Sequence, residues 1–184
     1  EIYPSNYYSF AEPRHSFATK VKDALDARHW RKLLSGLPGE SLRLLDIGGG
    51  AGWQLSSVRA LDKRVNFTQI VDLDPGAAER ARANGHAYHC GRIEEFETEQ
   101  RFDLILMLNL IEHVQSPGAV LAKVRELLTP TGVLFLKTPN YDAWDARVFR
   151  NASWAGYHCP RHWVLFTRES LEALGLKGAP DSLR

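Results

Sequence analysis

"LLDIGGGAGW", Leu44 to Trp53, is an apolar run that empties directly into Gly48, Gly49, Gly50 and Gly52. A short continuous apolar segment reads as a strand buried on both faces. Glycines at its exit read as a turn that a ligand approaches closely. Three ligand classes suit such a loop: a nucleoside triphosphate, a dinucleotide, or another adenosine-containing cofactor. The triphosphate loop must end in Gly-Lys-Ser/Thr, and here Gly52 is followed by Trp53 and Gln54. The dinucleotide pattern G-x-G-x-x-G/A is met by Gly48 and Gly50 but has Trp53 at its third position, whose bulk would obstruct close packing of helix on strand. That reading stays open but disfavoured.

Outward from the loop the hydrophobic period alternates. "WQLSSVRAL" suits a helix and "VNFTQIVDLD" a strand. "PGAAERARANG" suits a helix, with Asp74 as its N-cap, Pro75 at its first position and Gly85 past its end. "HAYHCG" reads as a short strand, "FDLILMLNLI" as a buried one, "SPGAVLAKVRELL" as a helix and "TPTGVLFLKTP" as a turn and strand. Five strands alternating with helices predict an α/β fold, a Rossmann-like, doubly wound and mostly parallel sheet covered on both faces. Before this core, Arg14 to Leu34 is helical in pattern, with Phe17, Val21, Ala24, Leu25 and Arg28 at spacings of three and four.

The chain divides as one domain. Residues 1–35 form an aromatic arm and helix, 36–140 the cofactor-binding core, 141–167 an aromatic loop, and 168–184 a terminal helix and tail. The loop, "NYDAWDARVFRNASWAGYHCPRHWVLF", is too long and too rich in Trp, Tyr, His and Arg to be a plain connection. Lys and Arg total 23 against 22 acids, so the net charge of +1 supplies no field to recruit nucleic acid or an acidic membrane. Cys90 and Cys159 form neither a disulfide framework nor a metal-binding pair, and the expectation is no long apolar span and no leader. A cytoplasmic setting is the expectation.

With Asp46-x-Gly48-x-Gly50-x-Gly52, the chain resembles the class I S-adenosylmethionine-dependent methyltransferases. The resemblance covers about Tyr3 to Leu174. In that family the glycines let main-chain N–H groups approach the amino acid end of the cofactor, with no pyrophosphate to cradle. The resemblance implies that Asp46, Gly48, Gly49, Gly50 and Gly52 hold that end. It also implies that Asp72 in "IVDLDP" accepts the ribose hydroxyls beside Leu73, and that Arg92 and Ile93 in "CGRIEEF" flank the adenine. Asn109, at the fourth strand's exit, is given to the cofactor as well. The tail elements "TPN" and "PRHWVLFTRESLEALG" narrow the likeness to a bacterial-type subgroup that modifies small molecules or sugars.

Methyl transfer from a sulfonium is an in-line displacement, so positioning carries much of the catalysis. A hydroxyl acceptor must also lose a proton, and histidine suits that task near neutrality. His113 in "NLIEHV" falls at the carboxyl edge where ligands of open α/β sheets bind, and His162 in "CPRHW" falls on the aromatic loop. Both are catalytic candidates; each could equally be a packed, hydrogen-bonded histidine. Some relatives, ubiquinone-type O-methyltransferases among them, carry Glu-x-x-Glu-His at this exit and bind a divalent metal. Here the first carboxylate is Asn109, so the expectation is no metal, with Glu112, His113 and His162 as the residues to watch. Tyr7, Tyr8, Trp154 and Tyr157 are candidate acceptor contacts, the first two on an arm that could fold as a lid.

The leading functional expectation is O-methylation of a small molecule: a sugar, a glycan precursor or a secondary metabolite. An RNA 2′-O-methyltransferase is the alternative, with Arg147, Arg150 and Arg161 as its nearest basic cluster. A non-catalytic S-adenosylmethionine-binding module is the third reading. The family's C-terminal antiparallel hairpin finds no counterpart after Gly175, which predicts five or six strands and an exposed sheet edge open to homodimer formation.

Overall fold

The computed structural model describes residues 17–149, 154–157 and 162–176, without the side chains of 17–23 and 155. Helix α1 (Phe17–Ser35) leads into β1 (Leu42–Ile47), α2 (Trp53–Arg59), β2 (Val65–Asp72), α3 (Ala78–Ala83), β3 (Ala87–Cys90) and β4 (Phe102–Leu108). Then follow α4 (Pro117–Leu127), β5 (Leu128–Lys137), α5 (Trp144–Val148) and α6 (Arg168–Ala173). Among the described residues the five strands form one sheet in the order β3-β2-β1-β4-β5, and every neighbouring pair is parallel. The chain thus winds outward from β1 in one direction and then in the other. Such an order opens a crevice at the carboxyl ends of β1 and β4, where ligands of open sheets bind.

The apolar strand runs explain the two-sided burial. Along β4, Ile105 and Met107 join Leu45, Ile47 and the α4 residues Val120, Leu121, Val124 and Leu127 in one core. Their neighbours Leu104 and Leu106 join Leu44, Ile70, Leu55 and Val58 of α2, and Trp30 and Leu34 of α1, in the other. Alternate residues of one strand therefore feed opposite faces, as the pleat requires. Asp74 caps as expected, its Oδ1 accepting the Gly76 N–H at 2.8 Å.

Three sequence expectations need correction. Helix α1 does not pack through the face of Ala24, Leu25 and Arg28: Leu25 is 63% exposed, and burial falls to Trp30 and Leu34 near the C-terminus. Trp30 sets its ring 4.6 Å from that of Phe135 on β5. Trp53 does not press on the sheet either, being 55% exposed. Gly52 is the close-packing glycine instead, since a Cβ there would lie 2.5 Å from His86 Cδ2 and 2.6 Å from Ile70 Cδ1. Finally, "TPTG" is no turn before a strand but lies within β5, where pairing jumps from Phe102–Leu128 to Leu104–Val133. The extra residues form a bulge, and Gly132 allows it because a Cβ would meet the Phe102 carbonyl at 2.7 Å.

Candidate functional site

The glycine loop begins where β1 ends. Gly48, Gly50 and Gly52 all adopt positive φ, at 78°, 53° and 80°, so the alternating glycines are a backbone requirement. Gly49 is needed for space, because a Cβ would stand 2.6 Å from the Asp46 carboxyl. A Cβ at Gly50 would meet no atom of the described residues within 4 Å, so among them this part of the loop faces open space. The loop is tied to β2: Gly48 N–H donates to the Val71 carbonyl at 2.8 Å, and Gly50 N–H donates to Asp72 Oδ2 at 2.8 Å. Asp72 Oδ1 accepts the Asp74 N–H at 2.9 Å, which fixes its carboxylate at the strand's end.

Asp46 is 2% exposed, and burial, followed by the nearby Asp72 carboxylate, pushes its carboxyl up to about 8. A buried carboxyl so placed favours a cationic neighbour. A glycine loop with one open backbone face, flanked by two carboxyl groups, fits an ammonium-bearing amino acid head joined to a ribose. Around it, Leu73 is 67% exposed just past β2, Arg92 is exposed, and Ile93 is 4% exposed and packs in the core. Asn109 is exposed at the crest of β4 with φ 51°, its N–H donating to the Lys137 carbonyl at 2.7 Å. Positive φ is uncommon outside glycine but is best tolerated by Asn. All of these positions surround the carboxyl ends of β1, β2 and β4.

The two candidate histidines meet. After β4 a single 3₁₀ turn, Ile111–His113, brings Glu112 inward to 1% exposure and leaves His113 half-buried. The segment carrying His162 is pinned across it, because the Trp163 N–H donates to the Glu112 carbonyl at 2.8 Å. The ring centroids of His113 and His162 consequently lie 4.7 Å apart, edge to face. His162 Nδ1 lies 2.6 Å from the Gly156 carbonyl; a carbonyl only accepts, so Nδ1 carries the proton and Nε2 the lone pair in the neutral ring. Thr138, just past β5, donates its hydroxyl to Glu112 Oε2 at 2.9 Å, while Glu112 Oε1 is buried and, among the described residues, has no hydrogen-bond partner. One ligand atom from each of Glu112, His113 and His162 lies within 4.8 Å of the others.

The described part of the aromatic loop packs largely on itself. Trp154 is 8% exposed, donates its Nε1–H to Asp145 Oδ2 at 3.1 Å, and meets Tyr157 edge to face at 5.4 Å. Tyr141, which sequence reasoning did not single out, contacts both rings, at 6.0 Å and 6.4 Å. Trp144 and Trp163 are among the exposed rings, at 76% and 61%. Tyr7 and Tyr8 lie outside the described residues, as do Arg150 and Arg161, while Arg147 faces Asp142 at 3.8 Å. A cavity of about 140 Å³ between the end of β5 and Phe166, Arg168 and Leu171 sits at the sheet's edge, away from the glycine loop. Among the described residues no helix is long and apolar enough to cross a membrane.

Residues 17–177 match the family model described as a methyltransferase domain. A ubiquinone biosynthesis O-methyltransferase of Rhodopseudomonas palustris is 37% identical over 130 residues, which is 65% of this chain and 49% of that protein. One from a Bradyrhizobium species is 36% identical over 132 residues, 66% of this chain and 49% of that protein. The chain spans about half the length of these relatives. In solved structures, the plantazolicin methyltransferase BpumL in complex with SAH superposes with a TM-score of 0.66 at 17% identity, over 85% of this chain and 63% of that one. DesVI of Streptomyces venezuelae does so at 0.51 and 22% identity, over 67% and 57%; at such identities the likeness is one of fold. The glycine loop, its acidic partners and the family match over most of the sequence agree: the chain belongs to the methyltransferase domain family and has the Rossmann-like fold of its class I members.

Proposed function

We propose that this chain transfers the methyl group of S-adenosylmethionine to a hydroxyl oxygen of a small molecule, with His113 and His162 handling the acceptor's proton. The observation that carries this reading is the meeting of the two rings, 4.7 Å apart, against the buried carboxylate of Glu112. The cofactor supplies an electrophilic methyl group on a sulfonium. Asp46, Asp72, Leu73, Arg92, Asn109 and the glycine loop hold and orient it. His162 Nε2 is the basic nitrogen of its ring, and Glu112 stabilises the imidazolium that forms when the pair takes up the hydroxyl proton. The O-methyltransferase names of the R. palustris and Bradyrhizobium relatives support oxygen as the acceptor atom. A sugar, a glycan precursor or another secondary metabolite with a free hydroxyl is the acceptor class to screen, beside Trp154 and Tyr157.

The test is turnover against cofactor affinity. His113→Ala and His162→Ala should each lower kcat by about 10² or more, in the range of a lost general base, while calorimetric S-adenosylmethionine binding stays within about twofold. Unchanged kcat in both variants would remove the histidines from the chemistry. A folded protein that binds the cofactor yet turns over no acceptor would instead favour the binding module.

A second reading is favoured by Glu112 Oε1, the orphaned buried oxygen beside the two imidazoles. A carboxylate and two histidines suit a borderline divalent cation such as Mn²⁺, Fe²⁺ or Zn²⁺ better than Mg²⁺, which asks for more oxygen ligands. In that reading Glu112, His113 and His162 would hold the ion, which would supply Lewis acidity toward the acceptor hydroxyl. Chelator-treated protein titrated with Mn²⁺ by calorimetry decides between them: binding abolished by Glu112→Gln supports the metal, and no binding leaves the general base.

A further inference from the structure

One buried titratable group takes no part in the chemistry above. His86, directly before β3, is 2% exposed and lies beneath the glycine loop. Its Nδ1 is 2.8 Å from Thr68 Oγ1 on β2, and its Nε2 is 2.7 Å from Ser56 Oγ in the first turn of α2. The edge of the same ring fills the space under Gly52, where a Cβ would come within 2.5 Å of Cδ2 and 2.9 Å of Nε2. The ring thus joins a fixed strand on one side to the loop's last glycine and its helix on the other. Burial, followed by the Arg59 guanidinium on α2, holds its pKa below the ordinary histidine value, so the neutral ring is the working form. A neutral imidazole donates from one nitrogen and accepts at the other. Hydroxyls do either, so both bonds are satisfied whichever tautomer is present.

Filling space would need only an apolar side chain. Two directed hydrogen bonds on opposite ring atoms do more, because they set the distance between Thr68 and Ser56 and so the height of Gly52 over the sheet. Gly52 in turn closes the loop, its N–H donating to the Gly49 carbonyl at 2.9 Å and its carbonyl accepting the Ser56 N–H at 2.8 Å. Gly50, whose open side faces the ligand space, lies inside that closed turn.

We propose that His86 is a positioning residue for the cofactor: through Ser56 and Gly52 it fixes the glycine loop in its binding geometry and thereby sets the affinity for S-adenosylmethionine. The proposal rests on the reading of that loop as the cofactor cradle. Gln and Asn substitutions separate the two arms, because a Gln amide reaches as far as Nε2 and can keep the Ser56 bond, whereas an Asn amide stops near Nδ1 and keeps only Thr68. Ser56→Ala removes the helix-side bond without touching the core.

Calorimetric titration of S-adenosylmethionine into the full chain tests it, with thermal unfolding run on each variant. Ser56→Ala and His86→Asn should weaken binding about tenfold, the scale of one lost directed hydrogen bond, while His86→Gln stays within about threefold. Ser56→Ala should do so while the variant remains folded at the titration temperature, so that the weaker binding is read on folded protein, which a merely structural role would not produce. Wild-type affinity in Ser56→Ala overturns the proposal even if His86→Asn fails to fold. A folded wild-type chain that binds no S-adenosylmethionine overturns the cofactor reading itself, and this inference with it.

Discussion

At the scale of single residues, the loop glycines carry sharply different demands. Gly52→Ala forces a Cβ into His86 and Ile70 at a backbone φ of 80°, so overpacking and left-handed strain act together. We expect a loss of about 2–4 kcal/mol in urea unfolding and an abolished cofactor titration. Gly50→Ala meets no neighbour among the described residues, so it should cost only about 1 kcal/mol of backbone strain while still interfering with the ligand. Equal stability losses in the two variants would contradict this account of the loop. Asp74, Gly48, Gly50 and Gly52 were readable because each answers a backbone demand that only a few residue types can meet. Glu112 was harder to read. Nothing in "NLIEHV" announces that its carboxylate turns inward, since that depends on Thr138, a residue from another strand's exit.

Among elements, the strands were legible and the faces of the outer helices were not. Apolar runs such as "LILML" bury on both sides and need no partner to be recognised. Leu104→Ala, at zero exposure in the middle of β4, should cost about 2–5 kcal/mol. Helix α1 has a weak apolar stripe, and its docking is decided instead by Trp30 on Phe135 and by one arginine after the helix. Arg64 donates to the Leu34, Leu37 and Gly39 carbonyls at 2.7–3.0 Å while Asp62 steadies its guanidinium at 2.7 Å. The Leu34 carbonyl, in the last turn of α1, also accepts the Leu37 N–H at 3.0 Å, while Leu37 and Gly39 lie in the connection to β1, so Arg64 ties the helix end and that connection together. Arg64→Ala should therefore destabilise by about 1–3 kcal/mol, read as a drop in melting temperature, with amide exchange accelerated in α1 more than in the sheet. A uniform acceleration would place the damage elsewhere. The bulge in β5 was hidden for a similar reason, as "TPTG" carries strong turn residues and only pairing with β4 keeps it in the ladder.

Across the whole molecule, two buried groups bend the pH dependence of stability in opposite senses. His86 has a depressed folded pKa, so its contribution is present above the unfolded value of 6.5 and is lost as the pH falls through the folded one. Asp46 is raised from 3.8 to about 8, so folding takes up a proton between those values and its contribution is lost as the pH rises toward 8. The cofactor-free protein should accordingly lose stability on the alkaline side relative to Asp46→Asn, which cannot ionise, and on the acidic side relative to His86→Gln. Melting curves from pH 5 to 9 check both, and parallel wild-type and variant profiles would refute the assignments.

The amide of Trp163, bonded to the Glu112 carbonyl, is the seam at which two distant stretches of chain come together as the proposed reaction centre. Its deuterium uptake is thus a clock for assembly of that centre. The glycine loop can be fully formed while the clock still runs fast, and an acceptor that closes the centre should slow it without altering exchange in β1.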